Sequence, residues 1–291
     1  MKHICVIGAG TMGTQIALTA AIHNYSVTLY DKQQQALERA SLQIEQLLQS
    51  FVKRQTITEE MSSHIAANII CHSELSTAIA EIDLIIEAII ENIPIKQQLF
   101  QALDELAPTH TILATNSSMI RSSVLAEQTK RPDKVCNIHF FNPVIKMDAV
   151  EVVRGPLTSE DTMTKVIDFV KSIRKTPIVL EKEIDGFIAN RILSKVMDEA
   201  IYLYENGIAS PEQIDLACMK ALNHPIGPFA LMDLTGLDTV YHIRQTQFEI
   251  TGDETYKPTA SLIEKYEAGH FGRKTGQGFY TYEKERSSWS K

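Results

Sequence analysis

The sequence predicts an α/β protein in which a doubly wound, mainly parallel sheet is followed by a smaller all-helical domain. Short apolar runs alternate with helical patterns through the first part of the chain, which is typical of parallel strands joined by crossover helices. Beyond residue 185 the helical pattern continues, with no comparable strand before residues 276–279. A chain of 291 residues is long enough for two cores. We therefore expect one domain over residues 1–185 and another over 186–291.

Seven apolar runs predict the strands of the first domain. They cover residues 3–8, 26–30, 82–88, 111–114, 134–140, 149–153 and 177–180. Helices are expected over residues 11–24 and 33–54, where apolar side chains recur at helical spacing. A third helix is expected to begin near Thr58, because two glutamates follow it directly.

The second domain is predicted to begin with a long apolar helix over residues 187–206, ended by Gly207. Its apolar side chains cover a broad arc, which indicates burial on more than one side. A homodimer formed through this domain would explain the arc, and a larger core within one chain would explain it too. Ser210 and Pro211 predict the start of the next helix. The polar tail from Glu283 to Lys291 is expected to be frayed.

Charge and hydropathy limit the classes of partner. The net charge of −8 gives no basic face for nucleic acid, so an anionic ligand requires a local group of cations. No apolar run reaches the ~18 residues of a membrane span. The first strand begins within a few residues of Met1, which leaves no room for a targeting peptide. We expect a cytoplasmic protein without a membrane or nucleic-acid partner.

The four cysteines predict neither disulfides nor a metal site. Cys5, Cys71, Cys136 and Cys218 form no Cys-x-x-Cys pair, and the sequence shows no metal-ligand spacing. Free thiols in a reducing compartment are therefore expected.

A glycine-rich turn follows the first predicted strand and opens the first helix. Gly8, Gly10 and Gly13 have the spacing at which glycine allows the tight turn, the approach of a pyrophosphate and close helix–strand packing. The helix N-terminus adds unpaired N–H groups and a partial positive charge. Together these features predict a Rossmann-type dinucleotide site.

Asp31 follows the second predicted strand and bears on the choice of cofactor. A carboxylate there accepts hydrogen bonds from the ribose 2′-hydroxyl of NAD and repels the 2′-phosphate of NADP. Lys32 is a neighbouring cation that would suit that phosphate. We expect NAD rather than NADP.

His139 and Glu151 are candidates for acid–base chemistry. Imidazole titrates near neutrality and suits the removal of a hydroxyl proton as hydride leaves. A carboxylate on the other ring nitrogen would fix the tautomer and stabilise the imidazolium. Spacing alone leaves open the alternative of a structural, hydrogen-bonded histidine at a strand end.

Several segments together resemble the 3-hydroxyacyl-CoA dehydrogenase family, in particular its short bacterial members that act on 3-hydroxybutyryl-CoA. The resemblance runs nearly from end to end of the chain. Beyond the glycine turn, it is carried by Glu87-Ala88-Ile89-Ile90-Glu91-Asn92, Asn116-Ser117-Ser118, His139-Phe140-Phe141-Asn142-Pro143, Asp185-Gly186-Phe187-Ile188-Ala189-Asn190-Arg191, His224-Pro225-Ile226-Gly227-Pro228-Phe229, Gly236-Leu237-Asp238-Thr239 and Gly272-Arg273-Lys274-Thr275-Gly276-Gln277-Gly278-Phe279-Tyr280.

The resemblance implies the catalytic roles. His139 and Glu151 would be the catalytic pair, and Ser118 and Asn190 would contact the reacting end of an acyl-CoA substrate. Ser117 is the alternative to Ser118, because the family usually has Asn-Thr-Ser-Ser where this chain has Ser117 and Ser118 followed by Met119.

The resemblance also implies the binding residues. Glu91, Lys96 and Asn142 would line the NAD site. Lys53 and Arg54 match the region where the family holds the CoA phosphates, which need local positive charge. Ile145 replaces a usual proline, so the loop after the catalytic histidine is expected to differ.

Two other functions remain possible from the sequence. A dehydrogenase of a free hydroxy acid or sugar acid could use the same fold and much of the same catalytic set. A non-catalytic NAD-binding protein would need no acid–base pair. The sequence leaves acyl chain length open, because one methylene changes selectivity by only about 1–3 kcal/mol.

Overall fold

The computed structural model describes residues 1–283, so the expectation for the polar tail falls almost wholly outside the described residues. The chain divides into two compact units, Met1–Phe187 and Ile188–Lys291. No helix within the described range combines the length and apolar character needed to cross a membrane.

The first unit alternates strands with helices. Its strands are β1 His3–Ile7, β2 Ser26–Tyr30, β3 Ile69–His72, β4 Leu84–Glu87, β5 Ile112–Thr115, β6 Val135–Phe140, β7 Ala149–Arg154 and β8 Thr176–Leu180. Its helices are α1 Thr11–Ile22, α2 Gln34–Lys53, α3 Glu59–Ala67, α4 Leu75–Ala78, α5 Ile93–Leu106, α6 Ser122–Ala126 and α7 Glu160–Ser172.

The strands form one sheet in the order β3-β2-β1-β4-β5-β6-β7-β8. All neighbouring strands are parallel except β6 and β7, which pair antiparallel. The first six strands have the order of a dinucleotide-binding sheet, whose ligand crevice lies at the carboxyl ends where the strand order reverses, here between β1 and β4. The predicted fold class is confirmed.

Strand β3 is absent from the sequence prediction. It forms one edge of the sheet, and none of its four residues is buried. Ile70 is largely exposed. The sequence of β3 therefore lacks the long apolar run by which the other strands were predicted. The strand is recognised in the structure by its parallel pairing with β2.

Both faces of the sheet are covered, as a parallel sheet requires. On β4, Leu84 and Ile86 join one buried cluster while Ile85 joins the cluster on the other face. This alternation follows from the side-chain geometry of a strand. Cys5 and Cys136 lie in these clusters as free thiols, and burial raises the pKa of the Cys136 thiol to about 12.

The second unit is helical. Its helices are α8 Ala189–Glu205, α9 Pro211–Ala221, α10 Pro228–Thr235, α11 Leu237–Thr251 and α12 Ala260–Glu267. A core that includes Ile201, Phe229 and Leu262 joins all five of them. On α8 only Ala200 and Ile201 are buried, and Ile192 is largely exposed.

Asp233 ties the last described residues to this helical core. Its buried carboxylate accepts hydrogen bonds from the backbone N–H groups of Phe279 and Tyr280, both at 2.9 Å, and from the Tyr282 hydroxyl at 3.0 Å. A Cβ on Gly278 would lie 2.1 Å from Asp233 Oδ1. The glycine is therefore required by the close approach of the carboxylate.

Candidate active site

The turn between β1 and α1 has the shape of a dinucleotide cradle. Gly8 has a φ of +105°, and a Cβ on it would lie 2.6 Å from the carbonyl oxygen of Ala88. A Cβ on Gly13 would lie 1.8 Å from the Gly8 carbonyl oxygen. A Cβ on Gly10 would meet nothing within 4 Å. The fold itself thus demands Gly8 and Gly13, whereas the space above Gly10 is open to a ligand backbone, which fits the pyrophosphate of NAD.

Asp31 is fixed against this turn. Its Oδ2 accepts a hydrogen bond from the Ala9 N–H, and its Oδ1 accepts one from the Gln33 N–H, both at 2.9 Å. Asp31 lines a cleft of about 400 Å³ together with Gly10 and Arg39. Each carboxylate oxygen keeps a lone pair for a ribose hydroxyl, so the cleft suits the adenosine half of NAD. Sequence reasoning missed Arg39, whose position on α2 gave no motif.

The His139–Glu151 pair is formed by the antiparallel strands β6 and β7. The two residues lie directly opposite each other in the ladder, and His139 Nδ1 is 2.8 Å from Glu151 Oε2. Glu151 is fully buried and His139 is 6% exposed. Because Nδ1 faces the carboxylate, Nε2 is the ring nitrogen left for a substrate hydroxyl. The imidazole packs between Phe141 and Phe187, with ring centroids 4.7 and 5.6 Å away.

The loop between β6 and β7 is held from β8. Lys175, which directly precedes β8, donates from Nζ to the carbonyl oxygens of Val144 at 2.8 Å and Met147 at 2.7 Å. Partial burial lowers the pKa of Lys175. The Ile145 N–H donates to Gln15 Oε1 at 3.5 Å, a contact that a proline at this position could not make. Asn142 lies exposed in the same loop.

The two candidate serines differ in their hydrogen bonding. The Ser117 hydroxyl is buried, donates to Glu91 Oε1 at 2.7 Å and accepts from the Met119 and Ile120 N–H groups. Ser118 is partly exposed, and its N–H donates to Glu91 Oε1 at 3.2 Å. Its hydroxyl makes no hydrogen bond to any described residue. Ser117 therefore shapes the loop, and Ser118 presents the hydroxyl that a ligand can reach.

A buried charge cluster lies beside this loop at the carboxyl end of β4. Lys96 is 1% exposed, and its Nζ lies 2.5 Å from Glu87 Oε1 and 3.3 Å from Glu91 Oε2. Its ammonium is thus occupied by two carboxylates instead of projecting into solvent. Sequence reasoning did not assign Glu87 a role. Its position as the last residue of a central strand was the available signal.

Three other candidates lie at helix termini. Lys53 ends α2, Arg54 follows it, and both are exposed without an ion pair to any described residue. Asn190 is the second residue of α8 in the helical unit and is partly buried. Residues 1–283 contain no group of three or more His, Cys, Asp or Glu side chains that could hold a metal ion.

Comparison with known proteins assigns both units. The family model for the NAD binding domain of 3-hydroxyacyl-CoA dehydrogenase matches residues 3–184, and the model for its C-terminal domain matches residues 186–282. The mitochondrial hydroxyacyl-coenzyme A dehydrogenase of Homo sapiens is 38% identical over 97% of this chain and 91% of its own length.

Bacterial relatives agree with this assignment. The 3-hydroxybutyryl-CoA dehydrogenase of Clostridioides difficile is 40% identical over 97% of this chain and 99% of its own. The crystal structure of (S)-3-hydroxybutyryl-CoA dehydrogenase from Ralstonia eutropha superposes with a TM-score of 0.90 at 35% identity, covering 98% of this chain and 100% of that chain. The family resemblance noted in the sequence is confirmed: this chain belongs to the 3-hydroxyacyl-CoA dehydrogenase family.

Proposed function

We propose that this protein interconverts a 3-hydroxyacyl-CoA and the matching 3-ketoacyl-CoA with NAD, and that its substrate is short, such as 3-hydroxybutyryl-CoA. The buried His139–Glu151 pair in a chain of this family carries the proposal. Bacterial relatives named for 3-hydroxybutyryl-CoA support the short acyl chain. We assign NAD binding to residues 1–185 and substrate binding to residues 186–291.

The acid–base step follows from the geometry of the pair. Bound NAD would accept the hydride that leaves C3 of the substrate. His139 Nε2 accepts the proton of the 3-hydroxyl, because Nδ1–H is directed at Glu151. The buried Glu151 carboxylate then stabilises the imidazolium. In the reverse direction the protonated His139 donates to the forming alkoxide.

The other predicted residues bind and orient. We assign Ser118 and Asn190 to the polar end of the substrate, and Glu91, Lys96 and Asn142 to NAD together with Gly8, Gly10, Gly13 and Asp31. We assign Lys53 and Arg54 to the CoA phosphates, since both are exposed and unpaired with any described acid.

We also propose a cytoplasmic homodimer formed through the helical domain. Apolar side chains that stay exposed on this unit support the dimer, including Ile192 on α8 and Leu222 after α9. Bacterial relatives support the cytoplasm. A monomer mass from light scattering of the purified protein would contradict the dimer.

The activity is tested by mixing the protein with acetoacetyl-CoA and NADH and following the absorbance of the reduced nicotinamide. We expect rapid oxidation of NADH and little oxidation of NADPH, because Asp31 repels a 2′-phosphate. Acetoacetate is the control for the CoA ester. Turnover of the free acid would instead indicate a hydroxy-acid dehydrogenase, and NADH binding without turnover of any acyl chain length would indicate a binding protein.

The His139→Gln variant is expected to lose about 10²- to 10⁴-fold in kcat while still binding NADH, because a positioned acid–base group contributes that much to rate. Glu151→Gln should also lose kcat, since the amide cannot stabilise the imidazolium. His110→Gln is the control, because His110 is exposed and its ion pair among residues 1–283 is with Asp83, away from the His139–Glu151 pair. Near-normal kcat in His139→Gln would disprove the base assignment.

The two serines are separated by a pair of alanine variants. Ser118→Ala should lower kcat/KM with an unchanged melting temperature, because its hydroxyl has no partner within the described structure. Ser117→Ala should lower the free energy of unfolding by about 1–3 kcal/mol, because it leaves buried groups unpaired. Thermal melting and steady-state kinetics measure both. Normal kinetics in Ser118→Ala would return the role to Ser117.

A further inference from the structure

We propose that Glu87 is a positioning residue for this reaction, acting through Lys96 to fix Glu91 and the loop that presents Ser118. The inference rests on the proposed dehydrogenase function and adds a residue to it. Glu87 is the last residue of β4, is fully buried and does not reach the surface where substrate and cofactor bind.

Both oxygens of Glu87 are used within the protein. Oε1 accepts a hydrogen bond from the Ile89 N–H at 2.7 Å and lies 2.5 Å from Lys96 Nζ. Oε2 accepts from the Thr115 hydroxyl at 2.7 Å. Glu87 therefore joins the end of β4 to the end of β5 and to helix α5.

Two connections lead from Glu87 to the serine loop. In the first, Lys96 Nζ pairs with Glu91 Oε2 at 3.3 Å, and Glu91 Oε1 accepts the Ser117 hydroxyl and the Ser118 N–H. In the second, the Thr115 hydroxyl accepts the Ser117 N–H at 3.1 Å. Both end on the backbone that sets the position of the Ser118 hydroxyl.

The balance of charge explains why a glutamate and not a neutral amide is needed at position 87. A buried ammonium without a partner is very costly, and Lys96 is nearly inaccessible to water. Glu87 is the nearer of its two carboxylates, while Glu91 is 44% exposed and lies at the proposed cofactor site. If Glu87 were neutral, Lys96 would be drawn to Glu91 and would compete with the Ser117 and Ser118 donors.

A purely structural ion pair would make a different prediction. Such a pair can be replaced by neutral groups with little loss, and sometimes with a gain in stability. Here the third partner, Glu91, links the pair to the site. Removing both charges should therefore restore stability without restoring the position of Glu91 and Ser118.

The experiment compares Glu87→Gln, Lys96→Met and the double variant in kcat, NADH affinity and melting temperature. Glu87→Gln should lower kcat and weaken NADH binding about tenfold, since hydrogen bonds to charged groups are lost. The double variant should melt closer to the wild type, while its kcat stays as low as that of Lys96→Met, because the two residues act in one chain of contacts.

Asp104→Asn is the matched control. Asp104 is also buried, lies on the same helix as Lys96 and pairs with Arg131 Nε at 2.7 Å, without contact to the serine loop. It should lower the melting temperature and leave kcat and NADH affinity unchanged. Equal effects of Asp104→Asn and Glu87→Gln on kcat would show that both act through stability alone.

Three further results would overturn the role of Glu87. They are wild-type kcat and NADH affinity in Glu87→Gln, additive losses in the double variant, and recovery of kcat together with melting temperature. Failure of the proposed function is distinguished by the wild type, which would then turn over no hydroxyacyl-CoA. In that case NADH fluorescence titration still decides the role of Glu87, because equal affinities of wild type and Glu87→Gln would refute it.

Discussion

The antiparallel pairing of β6 and β7 is the constraint on which the site depends. Parallel neighbours need a crossover of a dozen or more residues, so two side chains so close in sequence cannot face each other across a parallel ladder. Because the chain reverses direction after β6, His139 and Glu151 become directly paired residues of the antiparallel ladder. The same reversal leaves the loop over residues 141–148 at the carboxyl edge, where Lys175 holds it.

The glycines of the turn are needed for two different reasons, close packing within the protein and space for a ligand. Gly8 and Gly13 are fixed by close backbone approaches, and any chain with this turn would need them. No protein atom would clash with a side chain at Gly10, because a Cβ there would meet nothing within 4 Å. The space beside Gly10 is instead open to a ligand. Asp31 closes the arrangement, because its carboxylate bonds to the turn itself through Ala9. The carboxylate that we propose selects the cofactor is thus held by the glycine turn itself.

The sequence reveals candidate residues where their arrangement depends on local order along the chain. The glycine turn, Asp31 and the His139–Glu151 spacing are all visible within single strand–turn segments. Glu87 and β3 were missed because their roles depend on neighbours distant in sequence: Glu87 meets Thr115 across the sheet, and β3 is defined by β2. The difference between Ser117 and Ser118 likewise depends on Glu91, which the linear motif could not rank.

The contacts of Asp233 have a consequence for how the helical unit is made. Asp233 lies on α10, yet its partners Phe279, Tyr280 and Tyr282 are among the last described residues. The carboxylate of Asp215 on α9 likewise accepts a hydrogen bond from the Tyr280 hydroxyl. While the chain is being synthesised, the Asp233 carboxylate must stay hydrated until these partner residues are made, because a buried charge without donors is strongly unfavourable. The helical unit can therefore bury Asp233 only after residues 279–282 have left the ribosome.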